Sequence, residues 1–148
     1  MDVELREVTT DNLYEVFELA VAPEQASYVQ PNVKSIAEAS FEPKAWFRAV
    51  AAGENLVGFV MVYRDRPTRD FHIWRFMIDA RFQNRGYGAA ALRLLLDEAR
   101  ADGTDEVTLS VRPGEHSALR FWERFGFEDT GEVRHGQIVM RLRLSETE

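Results

Sequence analysis

The run Gln83-Asn84-Arg85-Gly86-Tyr87-Gly88-Ala89 holds the strongest chemical signal in this chain of 148 residues. It lies between an aromatic, β-branched segment, Phe71 to Ile78, and the most regular helical stripe of the sequence, Leu92, Leu95, Leu96 and Ala99. Two glycines at i and i+2 directly before a helix let the backbone approach a ligand closely. The first N–H groups of a helix have no intrahelical partner, and the helix dipole adds partial positive charge at that end. Together these suit phosphate or pyrophosphate, and Arg81 and Arg85 flank the run with donors for charge-assisted bonds. A tight strand-to-helix turn without a ligand accounts for the same spacing. A P-loop is set aside because no Gly-Lys-Ser/Thr follows. So is a Rossmann turn: Ala91 could replace its third glycine, but the repeated βαβ order is absent.

Other elements must position that turn. Val3, Leu5 and Val8 suggest a short strand. Leu13, Val16, Phe17 and Ala20 recur at i, i+3, i+4, i+7 and predict a helix, capped by Thr10 or Asp11 and ended by Pro23. Pro31 to Ser35 reads as a loop, and Ser35-x-x-Glu38 as a capping box opening a short second helix. Trp46 to Tyr63 reads as a strand pair broken at Gly53-Glu54-Asn55, Arg64 to Asp70 as a polar connection, and Phe71 to Ile78 as a strand buried on both sides. The long helix stops at Gly103, and Val107, Leu109 and Val111 alternate as a strand. Ala118, Phe121, Trp122 and Phe125 form another helical stripe, closed by Gly126. Ile138, Met140, Leu142 and Leu144 alternate as the last strand, after a tight His135-Gly136 turn. The order βααβββαβαββ describes an α/β (α+β) domain with a mixed sheet over residues 1–144, and 145–148 reads as a loose tail.

Composition removes several classes of function. The length is that of one domain, and folding hides roughly 70% of the surface of an extended chain of this size, so the core needs no staples. No cysteine is present, which excludes a disulfide scaffold, thiolate metal sites and a cysteine nucleophile, and no metal site is expected. The opening MDVELREVTT lacks a signal-peptide pattern, and no stretch reaches the ~18 apolar residues of a membrane span. A cytoplasmic protein with no membrane partner is the expectation. A net charge of −7 argues against a nucleic-acid partner. The acidic surplus sits in residues 1–60, with four basic residues against ten acidic ones, which fits either a solvated face or a cationic partner.

Gln83-x-x-Gly86-x-Gly88 after a strand, followed by a helix, a strand and Ala118-x-x-Phe-Trp-Glu-x-Phe-Gly126-Phe127, resembles the GNAT acetyltransferase superfamily. Gln25-Ala-Ser-Tyr-Val, Trp74-Arg75-Phe76-Met77-Ile78-Asp79 and Leu119-Arg-Phe-Trp-Glu-Arg-Phe-Gly-Phe resemble, more loosely, its bacterial spermine/spermidine (diamine) acetyltransferase-like branch. The resemblance implies a three-layer fold, with a mixed, mostly antiparallel sheet of about seven strands and about four helices. It makes 1–144 a single acetyl-CoA-binding N-acetyltransferase domain, with acetyl-CoA as cofactor. It further implies that Gln83, Asn84, Arg85, Gly86, Tyr87, Gly88 and Ala89 wrap the pyrophosphate, that Phe76, Met77 and Ile78 pair through their backbone with the pantetheine arm, and that Ser117 bonds that arm. It implies, too, a bulge that splays this strand from the next, with the cofactor filling the gap. An unpaired strand edge must find partners, and an amide-bearing arm supplies them.

Acyl transfer to an amine requires a neutral nucleophile. An amine of pKa near 10.4 is deprotonated at pH 7 at a cost of about 4.6 kcal/mol, part of which a base near pKa 7 relieves. His72 lies on the strand where members of the superfamily place a Glu or His, and its ordinary pKa suits the task; a core histidine or a substrate hydrogen-bond partner is the plainer reading. Glu38 is an outside candidate, while His116 and His135 read as surface residues. The superfamily's general-acid tyrosine is replaced by Trp122, whose indole does not give up its proton, so Trp122 reads also as core or pocket wall. The resemblance puts the acceptor between the first two helices and the final hairpin, where Glu24, Gln25, Tyr28, Asn32 and Glu38 suit a long cation such as a polyamine. The rival readings are a catalytically weak acyl-CoA-binding or sensing protein and a protein or amino-acid N-acetyltransferase. A homodimer is compatible with the exposed C-terminal strands.

Overall fold

Unbroken apolar runs in the middle of the chain and alternating ones toward its ends predict a sheet covered on both faces at its centre. A computed structural model, which describes residues 2–144, has that form. The chain runs β1 (Val3–Arg6), α1 (Leu13–Glu18), α2 (Asn32–Ala39), β2 (Ala45–Ala52), β3 (Asn55–Asp65), β4 (Asp70–Ile78), α3 (Tyr87–Ala101), β5 (Glu106–Val111), α4 (Leu119–Phe125), β6 (Glu128–Arg134) and β7 (Gln137–Arg143). The expected tail, 145–148, lies outside the described residues. Among the described residues, seven strands lie in the order β1-β2-β3-β4-β5-β7-β6, and of their neighbouring pairs only β4 and β5 are parallel.

The two faces have separate cores. Val60, Val62, Phe71, Ile73, Leu109, Trp122 and Met140 pack with Leu92, Leu95 and Leu96 of α3. Ala49, Ala51, Phe59, Met61 and Met77 pack with Val16 and Leu19 on the side of α1 and α2. β3 therefore needs apolar side chains on both faces, and residues 56–62 are buried without interruption. No helix among the described residues is long and apolar enough to cross a membrane.

The expected order of elements holds, with local corrections. α1 is shorter than its periodicity predicts: Asn12 stands at its cap, its Oδ1 accepting from Thr9 N, and it ends at Glu18, before Pro23. α2 opens at Asn32 and not at Ser35, because Pro31 already presents its carbonyl to Lys34 N and Ser35 N. Ser35 Oγ turns back to that same carbonyl, so no capping box forms there. His135 (φ 51°) and Gly136 (φ 76°) make the final hairpin turn, whose two positive φ values favour glycine at its second position. Arg64, expected in a polar connection, is instead a buried residue near the end of β3. Its guanidinium clamps Asp102 beyond α3 through two bonds of 2.6 and 2.7 Å and reaches Glu98 at 3.0 Å.

β4 departs most from expectation. Only Phe71, Ile73 and Met77 are fully buried along it, because its far half pairs with β3 alone and has no strand on its β5 side. Its position against β3 depends on Gly58, where a Cβ would come within 2.4 Å of Met77 O and 2.8 Å of Ile78 Cδ1. Gly58→Ala therefore pushes the end of β4 outward. Overpacking of this kind costs about 1–3 kcal/mol, a fall in Tm of roughly 3–10 °C on thermal unfolding.

Candidate functional site

The site begins with a register shift. Met61 of β3 faces Arg75 and Val62 faces Ile73, which leaves Trp74 as an extra residue on β4. Such a bulge bends its strand. β4 accordingly pairs with β5 only at His72↔Thr108 and Ile73↔Leu109, then leaves it. From Trp74 to Ile78 one backbone edge of β4 faces a groove of about 960 Å³. β5 closes the other side, α4 and the start of α3 close one end, and the α1–α2 connection crosses the mouth.

One end of the groove presents unpartnered backbone N–H groups. Gly86 caps α3 at φ 86°, a left-handed conformation for which glycine is suited. The first helical bond there runs from Ala90 N to Gly86 O, and the N–H groups of Gly86, Tyr87, Gly88 and Ala89 have no acceptor among the described residues. Of the run 83–89, Gln83, Asn84, Gly86, Tyr87, Gly88 and Ala89 line the groove, and Arg85 does not. Gln83 is structural in its contacts: its Nε2 donates to Ile78 O and to Gln25 Oε1, both at 2.9 Å. Arg81 is bound to Asp79 at 2.9 Å, and Arg81 and Arg85 both lie over the Phe82 ring. The cations on the groove wall near this end are instead Arg120 and Arg124 of α4, the helix whose Phe121 abuts Gly88.

Asp79 fastens the mouth. Its carboxylate accepts from Ala20 N at 3.0 Å and from Arg81 N at 2.9 Å, joining the end of β4 to the α1–α2 connection. Burial opposes its ionisation, but Arg81 and these amides outweigh that and hold the carboxyl below its ordinary value. Farther along the connection, Arg112 Nη1 donates to Ser27 O and the Tyr28 ring lies against Gly114.

His72 stands where β4 and β5 still pair and lines the groove. Its Nδ1 is bonded to Thr108 Oγ1 at 2.8 Å, which leaves Nε2 for another partner. Burial, and secondarily the charge of Arg134, push its pKa below the usual histidine value, so the ring is neutral at pH 7. Trp122 lines the groove but is only 5% exposed, held edge-on by Phe76, Phe121 and Phe127 at ring separations of 5.0–5.3 Å. Phe76, Met77 and Ile78 line the groove as well. Ser117 does too, but its hydroxyl donates to Arg112 O and accepts from Leu119 N within its own loop.

Of the five residues expected to meet an acceptor, Gln25 and Tyr28 line the groove; Glu24, Asn32 and Glu38 do not. Glu24 is exposed on the α1–α2 connection. Asn32 is buried, and its amide donates to Val16 O and Leu19 O, which ties α2 to α1. Glu38 is bonded to Arg75 Nη2 at 2.8 Å. Sequence reasoning missed Arg75, Arg112, Arg120, Arg124 and Arg134, all on the groove wall. Only the excess of arginine over lysine in the second half of the chain hinted at them.

A family model described as the acetyltransferase (GNAT) family matches residues 9–127. The spermine/spermidine N(1)-acetyltransferase of Bacillus subtilis (strain 168) is 28% identical over 149 residues, which cover 95% of this chain and 97% of that protein. The probable spermine N(1)-acetyltransferase of Bacillus subtilis subsp. natto (strain BEST195) is 27% identical with the same coverage. The crystal structure of the PaiA N-acetyltransferase of Thermoplasma acidophilum, in complex with coenzyme A, shares the fold with a TM-score of 0.76 at 15% identity, over 97% of this chain and all of that one.

Proposed function

The chain belongs to the acetyltransferase (GNAT) family, and from that premise we propose that it transfers the acetyl group of acetyl-CoA to a primary amine, with both substrates held together between β4 and β5. The observation that carries this reading is the parting of β4 from β5 after Ile73, directly beside the free N–H groups at the start of α3. A long anionic molecule with amides along its length needs both features. The residues present fit it. The amides of Gly86 to Ala89 would hold the pyrophosphate, Arg120 and Arg124 would stand near its charge, and the open edge of β4 from Trp74 to Ile78 would bond the pantetheine arm.

When bound, the coenzyme supplies an activated acyl group on a good leaving group, since a thiol of pKa about 8.5 leaves readily as thiolate. The remaining difficulty is the acceptor's proton. His72, neutral at pH 7 and with Nε2 unengaged by Thr108, accepts that proton directly or through one water. Trp122 forms wall and core and takes no part in proton transfer.

The finer reading, a polyamine acceptor, is supported by the names of the two Bacillus relatives. A cavity of about 540 Å³ on the far side of His72 adds to it, with Asp70, Asp105 and Glu106 on its wall. The experiment has two stages: titration calorimetry with coenzyme A, then thiol release from acetyl-CoA across a panel of amines with mass detection of products. Coenzyme binding with amine-dependent thiol release is the expected result. Binding without release from any amine would favour a coenzyme-binding protein, a reading prompted by the lack of a tyrosine at Trp122. Absence of binding would refute the proposal.

A further inference from the structure

Resting on the acyl-transfer reading, we propose that Glu38 is a positioning residue: through Arg75 it fixes the bulge at Trp74, and with it the β4 edge on which the coenzyme arm would lie. The extra residue sets the problem. Met61 faces Arg75 and Val62 faces Ile73 across β3 and β4, so the backbone groups of Trp74 must find bonds outside the ladder. The Trp74 carbonyl finds one in the next side chain, where Arg75 Nη1 donates to it at 3.1 Å. The same guanidinium lies over the Trp74 ring, 5.4 Å from its centroid. Both contacts last only while the guanidinium stays in place.

Glu38 keeps it there. Its carboxylate, on α2, accepts from Arg75 Nη2 at 2.8 Å. Arg75 Nε is buried without a partner among the described residues, so the bonds to Trp74 O and Glu38 are what hold the guanidinium. Burial works against the charge on Arg75, and Glu38 works in its favour. A planar guanidinium serves a carbonyl and a carboxylate at once from a fixed fork, which the compact ammonium of lysine does not reproduce. The last pair between β4 and β5, Ile73↔Leu109, comes one residue before the bulge. Slack at Trp74 therefore passes straight into the edge from Trp74 to Ile78. His72 keeps its bond to Thr108, and the first amides of α3 belong to a separate element. Glu38 thus differs from a base or an acceptor ligand in what it controls: the coenzyme's seat, whether or not an amine is present.

The test is titration calorimetry of the intact chain with coenzyme A and no amine, followed by turnover of acetyl-CoA with spermidine. The Glu38 side chain is 37% exposed, so Glu38→Ala opens little space in the core and folds. The expected result is a Kd for coenzyme A about 10-fold weaker in Glu38→Ala and in Arg75→Lys. In Glu38→Gln, whose amide oxygen still accepts from Nη2, the Kd stays within about twofold of the parent's. The fall in kcat below about pH 6.5, expected from protonation of His72, persists in Glu38→Ala. Parent-like coenzyme affinity in Glu38→Ala overturns the inference, and a raised KM for spermidine beside it assigns Glu38 to the acceptor. Equal weakening in Glu38→Gln, or loss of the acid fall in Glu38→Ala, overturns it as well. A parent chain that binds coenzyme A but releases no thiol with any amine refutes acyl transfer and leaves the positioning role to the calorimetry. A parent chain that does not bind coenzyme A refutes both.

Discussion

His72→Ala lowers kcat by about 10²–10⁴-fold while the affinity for coenzyme A stays within about twofold. The two effects separate because His72 lies at the last paired stretch of β4 and β5, whereas the free amides belong to the start of α3. The pH profile carries the same information. Burial and the Arg134 charge both disfavour the imidazolium, so protonation in the folded protein occurs below the ordinary histidine value of about 6.5. Activity is therefore full at pH 7 and falls on an acid limb below 6.5, as His72 takes up a proton and can no longer accept one. In His72→Ala that limb disappears. An unchanged kcat, or an acid limb that survives the substitution, would remove His72 from the reaction.

Asp102→Ala produces a large loss of stability. It leaves the Arg64 guanidinium, whose side chain is 5% exposed, without its two-pronged partner. Breaking one side of a buried ion pair costs about 3–5 kcal/mol, a drop in Tm of roughly 6–20 °C at this chain length. Glu98 remains as a second acceptor and sets the lower end of that range. The pair also has a pH signature. The bond from Arg64 is the largest influence on Asp102, and it outweighs burial, so the carboxyl is held below its ordinary value. Stability from this group is fully present above the unfolded carboxylate value near 3.9 and is lost as pH falls through the lower folded value. Below pH 4 the melting temperature of Asp102→Ala therefore changes less with pH than that of the parent chain. Arg66, which reaches Asp102 from an exposed position at 3.4 Å, is the control, and Arg66→Ala shifts Tm little.

The paired residues Arg64 and Asp102 show where sequence reading stops. They are 38 positions apart, and Arg64 sits in a run of polar residues that reads as a connection. Nothing local distinguishes it from Arg66, which is exposed; only the approach of α3 to the end of β3 buries one and leaves the other in water. Glu38 and Asn32 fail for a related reason. Their types suit a cationic ligand, yet the packing of α2 turns Asn32 onto α1 and Glu38 onto Arg75.

What the sequence determined by itself is what depends on neighbours along the chain. Apolar periodicity set the order of strands and helices, glycine placed the turns at 86, 103, 126 and 136, and the Gln83–Ala89 run marked the end of the groove where the first amides of α3 are unpartnered, all from interactions within a few residues. The tertiary structure decided what depends on register and approach. The one-residue mismatch at Trp74 opens the groove, the parting of β4 from β5 exposes the edge that lines it, and the hairpin of β6 and β7 brings Arg134 beside His72. Side-chain charge is written in the sequence, but the sign of a site depends on which charges the fold turns inward. Here a chain of net charge −7 encloses a groove lined with arginine.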